Sequence, residues 1–212
     1  MHSLSARFGA VMMGDIHNGD SGYMIRSLYF DTMNDIDFGE KEDGLELRRK
    51  IRLRTYSPKA NFAMLEMKQK EGPYQKKRSL RLPREDAERL VQGDYAPLLR
   101  EGSAFAAECY GLMHRQCYRP KTIVEYDRMA FVARENKIRI TFDHNIRATE
   151  ASFDLFSENL LMYQVLDPWN AVLEVKYNGF LLQYIKNLVN AANRSELSVS
   201  KYVLARSVSK TL

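Results

Sequence analysis

Three consecutive segments, 45–56, 61–70 and 74–83, alternate apolar and polar residues, and only the short breaks SPKA and EGP separate them. Successive side chains of a strand point to opposite faces. LELRRKIRLRTY therefore puts Arg48, Lys50, Arg52, Arg54 and Tyr56 on one face. Leu45, Leu47, Arg49, Ile51, Leu53 and Thr55 fall on the other. Breaks this short join antiparallel neighbours. The chain must contain a meander with one apolar face and one cationic face, and the apolar face must be covered.

The rest of the sequence supplies both cover and further strands. YMIRSLYFDT (23–32), which follows the turn cluster HNGDSG (17–22), reads as a strand, as do 120–133, 137–149 and 171–178. Helical spacing marks 1–13, 84–92, 103–117 and 179–193, with acids in the first turn at 84–92 and Ser103 as an N-cap. Residues 198–208 lean to a short helix, and 150–168 carry no clear signal. No linker or repeat interrupts this order, so 1–212 reads as a single α+β domain on about seven antiparallel strands. No apolar run is long enough to span a membrane and no signal peptide opens the chain, so the cytoplasm is the expected compartment. Cys109 and Cys117 sit eight apart in an expected helix, about 12 Å at a 1.5 Å rise per residue, too far for a disulfide, and read as small buried hydrophobes.

Net charge is only +5, but its placement is uneven. The polar strand faces carry Arg48, Lys50, Arg52, Arg54, Lys68, Lys70, Lys77, Arg128, Lys137, Arg139 and Lys176, against Glu66, Asp143 and Glu174. A solvated sheet face ordinarily mixes both signs. Like charges facing one another destabilise a sheet, so such a face either takes an anionic, multivalent occupant or splays towards water. Phosphate chains suit it, because Arg and Lys grip phosphate oxygens. An isolated carboxylate among cations adds nothing to phosphate affinity. Glu174 in LEVK and Glu66 in LEMK either pair with neighbouring cations or hold a hard divalent cation that bridges phosphate oxygens.

The ordered segments RSLYFDT (26–32), KIRLRTY (50–56), LEMK (65–68), YDRMAF (126–131), IRITFD (138–143), LEVKY (173–177) and VSKY (199–202) resemble the landmarks of the VTC-type polyphosphate polymerase domain. That family belongs to the CYTH, or triphosphate tunnel metalloenzyme, superfamily. The resemblance implies an antiparallel β tunnel barrel with a basic interior and helices packed outside. It implies transfer of the γ-phosphate of ATP to a growing polyphosphate chain with a divalent metal, Mn or Mg. Arg52 and Arg54 then resemble the paired arginines on the triphosphate, Lys68 and Lys77 the tunnel lysines, and Arg128 and Arg139 the arginines of later strands. Lys201 resembles the lysine of a C-terminal F-S-K motif, with Val199 in place of Phe. Lys50, Lys176 and Arg26 join as further substrate contacts, and Glu174 and Glu66 as metal ligands. A membrane protein that receives the product is a conceivable partner. One departure stands out. The family opens on a strand bearing Glu and Lys, and residues 1–22 contain neither. The chain therefore reads as truncated at its N-terminus, with an unpaired strand edge expected.

Other chemistries find little support. There is no Walker A motif, no G-x-G-x-x-G, no H-E-x-x-H, no C-x-x-C and no nucleophile elbow. No RRM, KH or helix-turn-helix pattern points to nucleic acid. A triphosphatase on the same scaffold and a non-catalytic polyphosphate- or nucleotide-binding module are the alternatives.

Overall fold

The computed structural model describes residues 2–19, 22–192 and 198–210. Asp20 and Ser21 of the expected turn and Asn193, last of the expected fourth helix, lie outside them. The strands are β1 (Met13–Gly14), β2 (Tyr23–Asp31), β3 (Leu47–Thr55), β4 (Phe62–Glu71), β5 (Tyr74–Pro83), β6 (Arg119–Ala133), β7 (Ile138–Thr149), β8 (Tyr163–Gln164) and β9 (Ala171–Lys176). They hydrogen-bond in the order β5-β4-β3-β2-β6-β7-β8, with β1 beside β6 and β9 beside β7. The helices are α1 (His2–Val11), α2 (Ile36–Glu42), α3 (Arg84–Val91), α4 (Pro97–Arg100), α5 (Ala104–Arg115), α6 (Gln183–Asn190) and α7 (Lys201–Lys210). Among the described residues no helix is long and apolar enough to cross a membrane.

The chain divides into two compact units, and β2, β6, β7 and β8 contribute residues to both. The larger holds residues 25–124, 148–163 and 201–212. Its meander follows the sequence alternation: β3 pairs antiparallel with β2 and β4, and β4 with β5. The apolar side of the meander (Ile51, Leu53, Leu65, Met67, Leu82) packs with Leu90 of α3 and with Ala106, Cys109 and Met113 of α5. Ser103 caps α5 by accepting from the Ala106 N–H at 3.1 Å.

The smaller unit holds residues 1–24, 125–147 and 164–200. Its core joins Phe8 of α1, Phe131 of β6, Ile140 and Phe142 of β7, and Ile185 and Val189 of α6. The rings of Phe8, Phe131 and Phe142 lie 5.8–6.2 Å apart by centroid. Asn136 and Lys137, both left-handed, turn β6 into β7.

Three local expectations change. The helix expected over 179–193 starts only at Gln183, because Leu182 is still extended. Residues 150–168, unreadable from sequence, contain the two-residue β8. Cys117 is exposed, not buried: α5 stops at Arg115, and Cys117 follows at φ 51 in the turn out of the helix. Cys109 is buried, and burial pushes its thiol up to about 12.

Candidate functional site

In the larger unit, strand register sets the cationic residues in rows. One row runs Ser27–Arg54–Met64–Arg81, the next Tyr29–Arg52–Glu66–Ser79, and a third Lys50–Lys68–Lys77. Three lysines abreast repel one another. The row beside them supplies the counter-charge. Glu66 is buried, and its Oε2 accepts from Arg52 Nε at 2.7 Å. Its Oε1 meets Lys77 Nζ at 2.5 Å, and Arg54 Nε lies 3.9 Å from Oε2. Burial alone would raise the Glu66 carboxyl, but Arg52, Arg54 and the Lys77 hydrogen bond outweigh it and hold it at about 2.

Further bonds fix the two arginines. Arg52 Nη1 donates to the Tyr29 hydroxyl at 3.0 Å, and Arg54 Nε donates to Ser27 Oγ at 3.2 Å. The Tyr29 ring stacks on Tyr202 at 5.2 Å, and the Tyr202 hydroxyl donates to the buried Asp31 at 2.6 Å. Burial lowers the Lys50 ammonium to about 8, with Lys41, Lys68 and Arg48 adding to the drop and Tyr29 opposing it. Lys68 and Lys77 are exposed, and Lys201 opens α7. Arg26 is buried, and its Nη1 donates to the carbonyls of Leu155 at 3.0 Å and Ser157 at 2.6 Å, which pins that loop.

The smaller unit carries its own cationic face on β7 and β9. Register pairs Arg139 with Lys176 and Thr141 with Glu174. Arg128 holds Asp143 with two bonds, Nε at 2.6 Å and Nη2 at 2.8 Å. Burial works against the Arg128 charge, yet the bond to Asp143, with Tyr126 and Tyr23 nearby, raises its proton affinity overall. Arg139 Nη1 donates to Asp15 at 2.6 Å and Nη2 to the Tyr23 hydroxyl at 3.2 Å. Lys176 lies 3.2 Å from Glu174 on the same strand face.

Among the described residues no three His, Cys, Asp or Glu side chains gather as a metal cage. A hard divalent cation that is shared with phosphate needs only one or two protein carboxylates. Glu174 fits that requirement. Its side chain is 41% exposed, and the Thr141 hydroxyl directly across the ladder is buried without a hydrogen-bond partner. Glu66 does not fit, because both its oxygens are engaged by cations.

Sequence reasoning named these cations and two of the carboxylates that hold them, Glu66 and Asp143, but not Tyr29, Ser27 or Asp15. Tyr29 and Ser27 alternate with Leu28 and Phe30, so assigning faces to β2 would have found them. Nothing in the sequence marks Asp15 as the partner of a residue 124 positions away.

The profile of the VTC domain matches residues 1–210. The chain belongs to the VTC domain family. This is the family to which the ordered motifs point. The VTC domain here is also similar in structure to a candidate adenylate cyclase from Bacillus halodurans, at a TM-score of 0.52 and 11% sequence identity. That likeness covers 93% of this chain and 90% of the other, and it supports the antiparallel CYTH-like fold. No curated protein matches this VTC domain.

Proposed function

We propose that this VTC domain is an ATP-dependent polyphosphate polymerase of the cytoplasm. The observation that carries the reading is the set of cationic rows in the larger unit, tied by one buried glutamate, in a chain of this family. Arg52 and Arg54 grip the triphosphate, preset by Glu66, Tyr29 and Ser27. Lys50, Lys68 and Lys77 spread further charge along the phosphate chain, and Lys201 joins from α7. In the smaller unit Arg128, Arg139 and Lys176 bind phosphate oxygens, and Glu174 with the Thr141 hydroxyl would hold a divalent cation, Mn or Mg. When bound, that cation would supply positive charge to offset the charge of the phosphates.

Phosphoryl transfer needs positioning and charge stabilisation, with no protein nucleophile. An oxygen of the terminal phosphate of the chain attacks the γ-phosphorus of ATP. The bond from that phosphorus to the β–γ bridging oxygen breaks, ADP leaves, and the chain is one phosphate longer. Arginine forks suit the transferred group because they match phosphate geometry with two parallel bonds.

The test is to incubate the purified chain with ATP and Mn, resolve the products on a polyphosphate gel, and assay ADP and free phosphate. A ladder with matching ADP is the expected result. Free phosphate without a ladder replaces the polymerase reading with hydrolysis. Binding of triphosphate without turnover replaces it with a binding module.

A further inference from the structure

The larger unit has a cleft of about 370 Å³, lined by Arg49, Glu108, Gly111, Leu112 and Arg115. It lies on the other side of the meander from the rows above, because Arg49 and Lys50 are adjacent in β3 and point to opposite faces. One wall is Arg49. The other is a single stripe of α5, since residues 108, 111, 112 and 115 share one helix face.

Two features of the cleft point to a ligand. The first is an excess of cations: Arg49, Arg78, Arg115 and Lys76 face only two carboxylates, Asp37 and Glu108. The nearest carboxylate to Arg49 is Asp37, at 3.9 Å, beyond hydrogen-bond length. Asp37 accepts the Tyr118 hydroxyl at 2.9 Å instead, and burial with the charge of Asp31 pushes its carboxyl up to about 7. Glu108 is already held by Arg78, whose Nη2 donates to Oε1 at 2.6 Å. Arg115 makes no hydrogen bond or ion pair among the described residues. Lys76 shares the register of Gln69 and Arg49 and adds a further cation. The second feature is Gly111. Glycine weakens a helix interior, yet a Cβ at 111 would meet nothing within 4 Å. The position is left small where the cleft opens, and packing does not demand it.

We propose that this cleft is a second anion site for a short free phosphate chain, a di- or triphosphate, gripped between Arg49 and Arg115. Two guanidinium forks on facing walls match successive phosphates. No aromatic ring lines the cleft to stack a base, so the phosphate chain is the recognised part.

The test is amide NMR of the full chain titrated with tripolyphosphate, read at Gly111 and Arg115. These resonances are expected to move in the wild type and in Arg54→Ala, where the opposite face is disabled. In Arg49→Gln/Arg115→Gln the Gly111 response weakens about tenfold or more, the scale of one lost charged fork. Gly111→Met plugs the cleft with both arginines intact and removes the Arg115 response, which keeps the test open if the double variant fails to fold. Orthophosphate binds more weakly than tripolyphosphate, and ATP no more tightly. Still resonances in the wild type, or an unchanged response in the double variant or in Gly111→Met, overturn the site. Equal affinity for orthophosphate overturns the short-chain assignment, and tighter binding of ATP overturns the claim that a free chain is recognised.

Discussion

Glu66→Gln tests the central physical claim, that one carboxylate holds the cationic rows of the meander together. The carboxyl sits at about 2 instead of 4.5. At about 1.4 kcal/mol per pH unit, that gap contributes about 3 kcal/mol of stability at neutral pH. Most of it comes from Arg52 and Arg54, because the Lys77 side chain is 50% exposed and its pair is screened. The sign follows from the depressed value. Stability is fully present above the unfolded value, near pH 4.5, and is lost as pH falls towards 2. Gln keeps the volume and an acceptor oxygen, so packing changes little. Urea unfolding at pH 7 should show the variant about 2–3 kcal/mol less stable than wild type. At pH 3, where wild type has already lost over half of the term, the deficit should shrink to about 1–1.5 kcal/mol. A deficit under about 0.5 kcal/mol at pH 7 would show that the pairs contribute nothing net. A deficit equal at both pH values would assign the loss to packing.

Four further outcomes follow from the same geometry. Arg54→Ala should weaken tripolyphosphate binding to the meander face about tenfold or more by calorimetry, since a buried guanidinium fixed by Ser27 is removed. Glu174→Gln should abolish metal-dependent turnover while leaving tripolyphosphate affinity within about threefold, half of one tenfold step on a free-energy scale; full metal-dependent activity would remove Glu174 from the metal. Gly22→Ala should cost about 2 kcal/mol or more by thermal unfolding, because φ is +97° and the new Cβ would lie 2.4 Å from the Arg128 carbonyl oxygen. Asp37→Asn should stabilise the protein by about 1–2 kcal/mol at pH 8 and not at pH 4. The Asp37 carboxyl is raised to about 7, so wild-type stability falls as pH climbs from 4 to 7, and the amide removes that fall. Melting curves of wild type and variant that stay parallel from pH 4 to 8 would refute it.

The meander was legible because its alternation runs unbroken through three segments, and its register then follows from two short turns. The cations of the candidate faces were legible for the same reason. So were the partners on the same faces, Glu66 and Asp143, but the long-range partners were not. The bond from Arg139 to Asp15 and the one from Tyr202 to Asp31 join residues far apart in sequence, and periodicity carries no information about such pairs. Arg49 shows a second limit. It sits among Leu47, Ile51 and Leu53 on the apolar face, where alternation alone reads it as an exception. Only the placement of α5 opposite it, with Gly111 leaving room, turns the exception into the wall of a cleft.

The carboxylates on the candidate faces share one arrangement that bears on how rows of cations can be stable at all. Arg52 is held by Glu66, Arg128 by Asp143 and Arg139 by Asp15. Without those anions, guanidiniums set side by side would repel and splay towards water. With them, each fork is fixed in advance, so in the proposed site less conformational entropy would be lost on binding phosphate. Each guanidinium has five N–H donors, and the named carboxylates take only one or two of them. The pairing therefore orients the cations without exhausting them. The same logic separates the two glutamates that looked alike in sequence. Glu66 is buried and shared among cations, which makes it a fixed counter-ion, while Glu174 is half-exposed beside Lys176 and the unpartnered Thr141 hydroxyl, which is why it is the proposed ligand of the divalent cation.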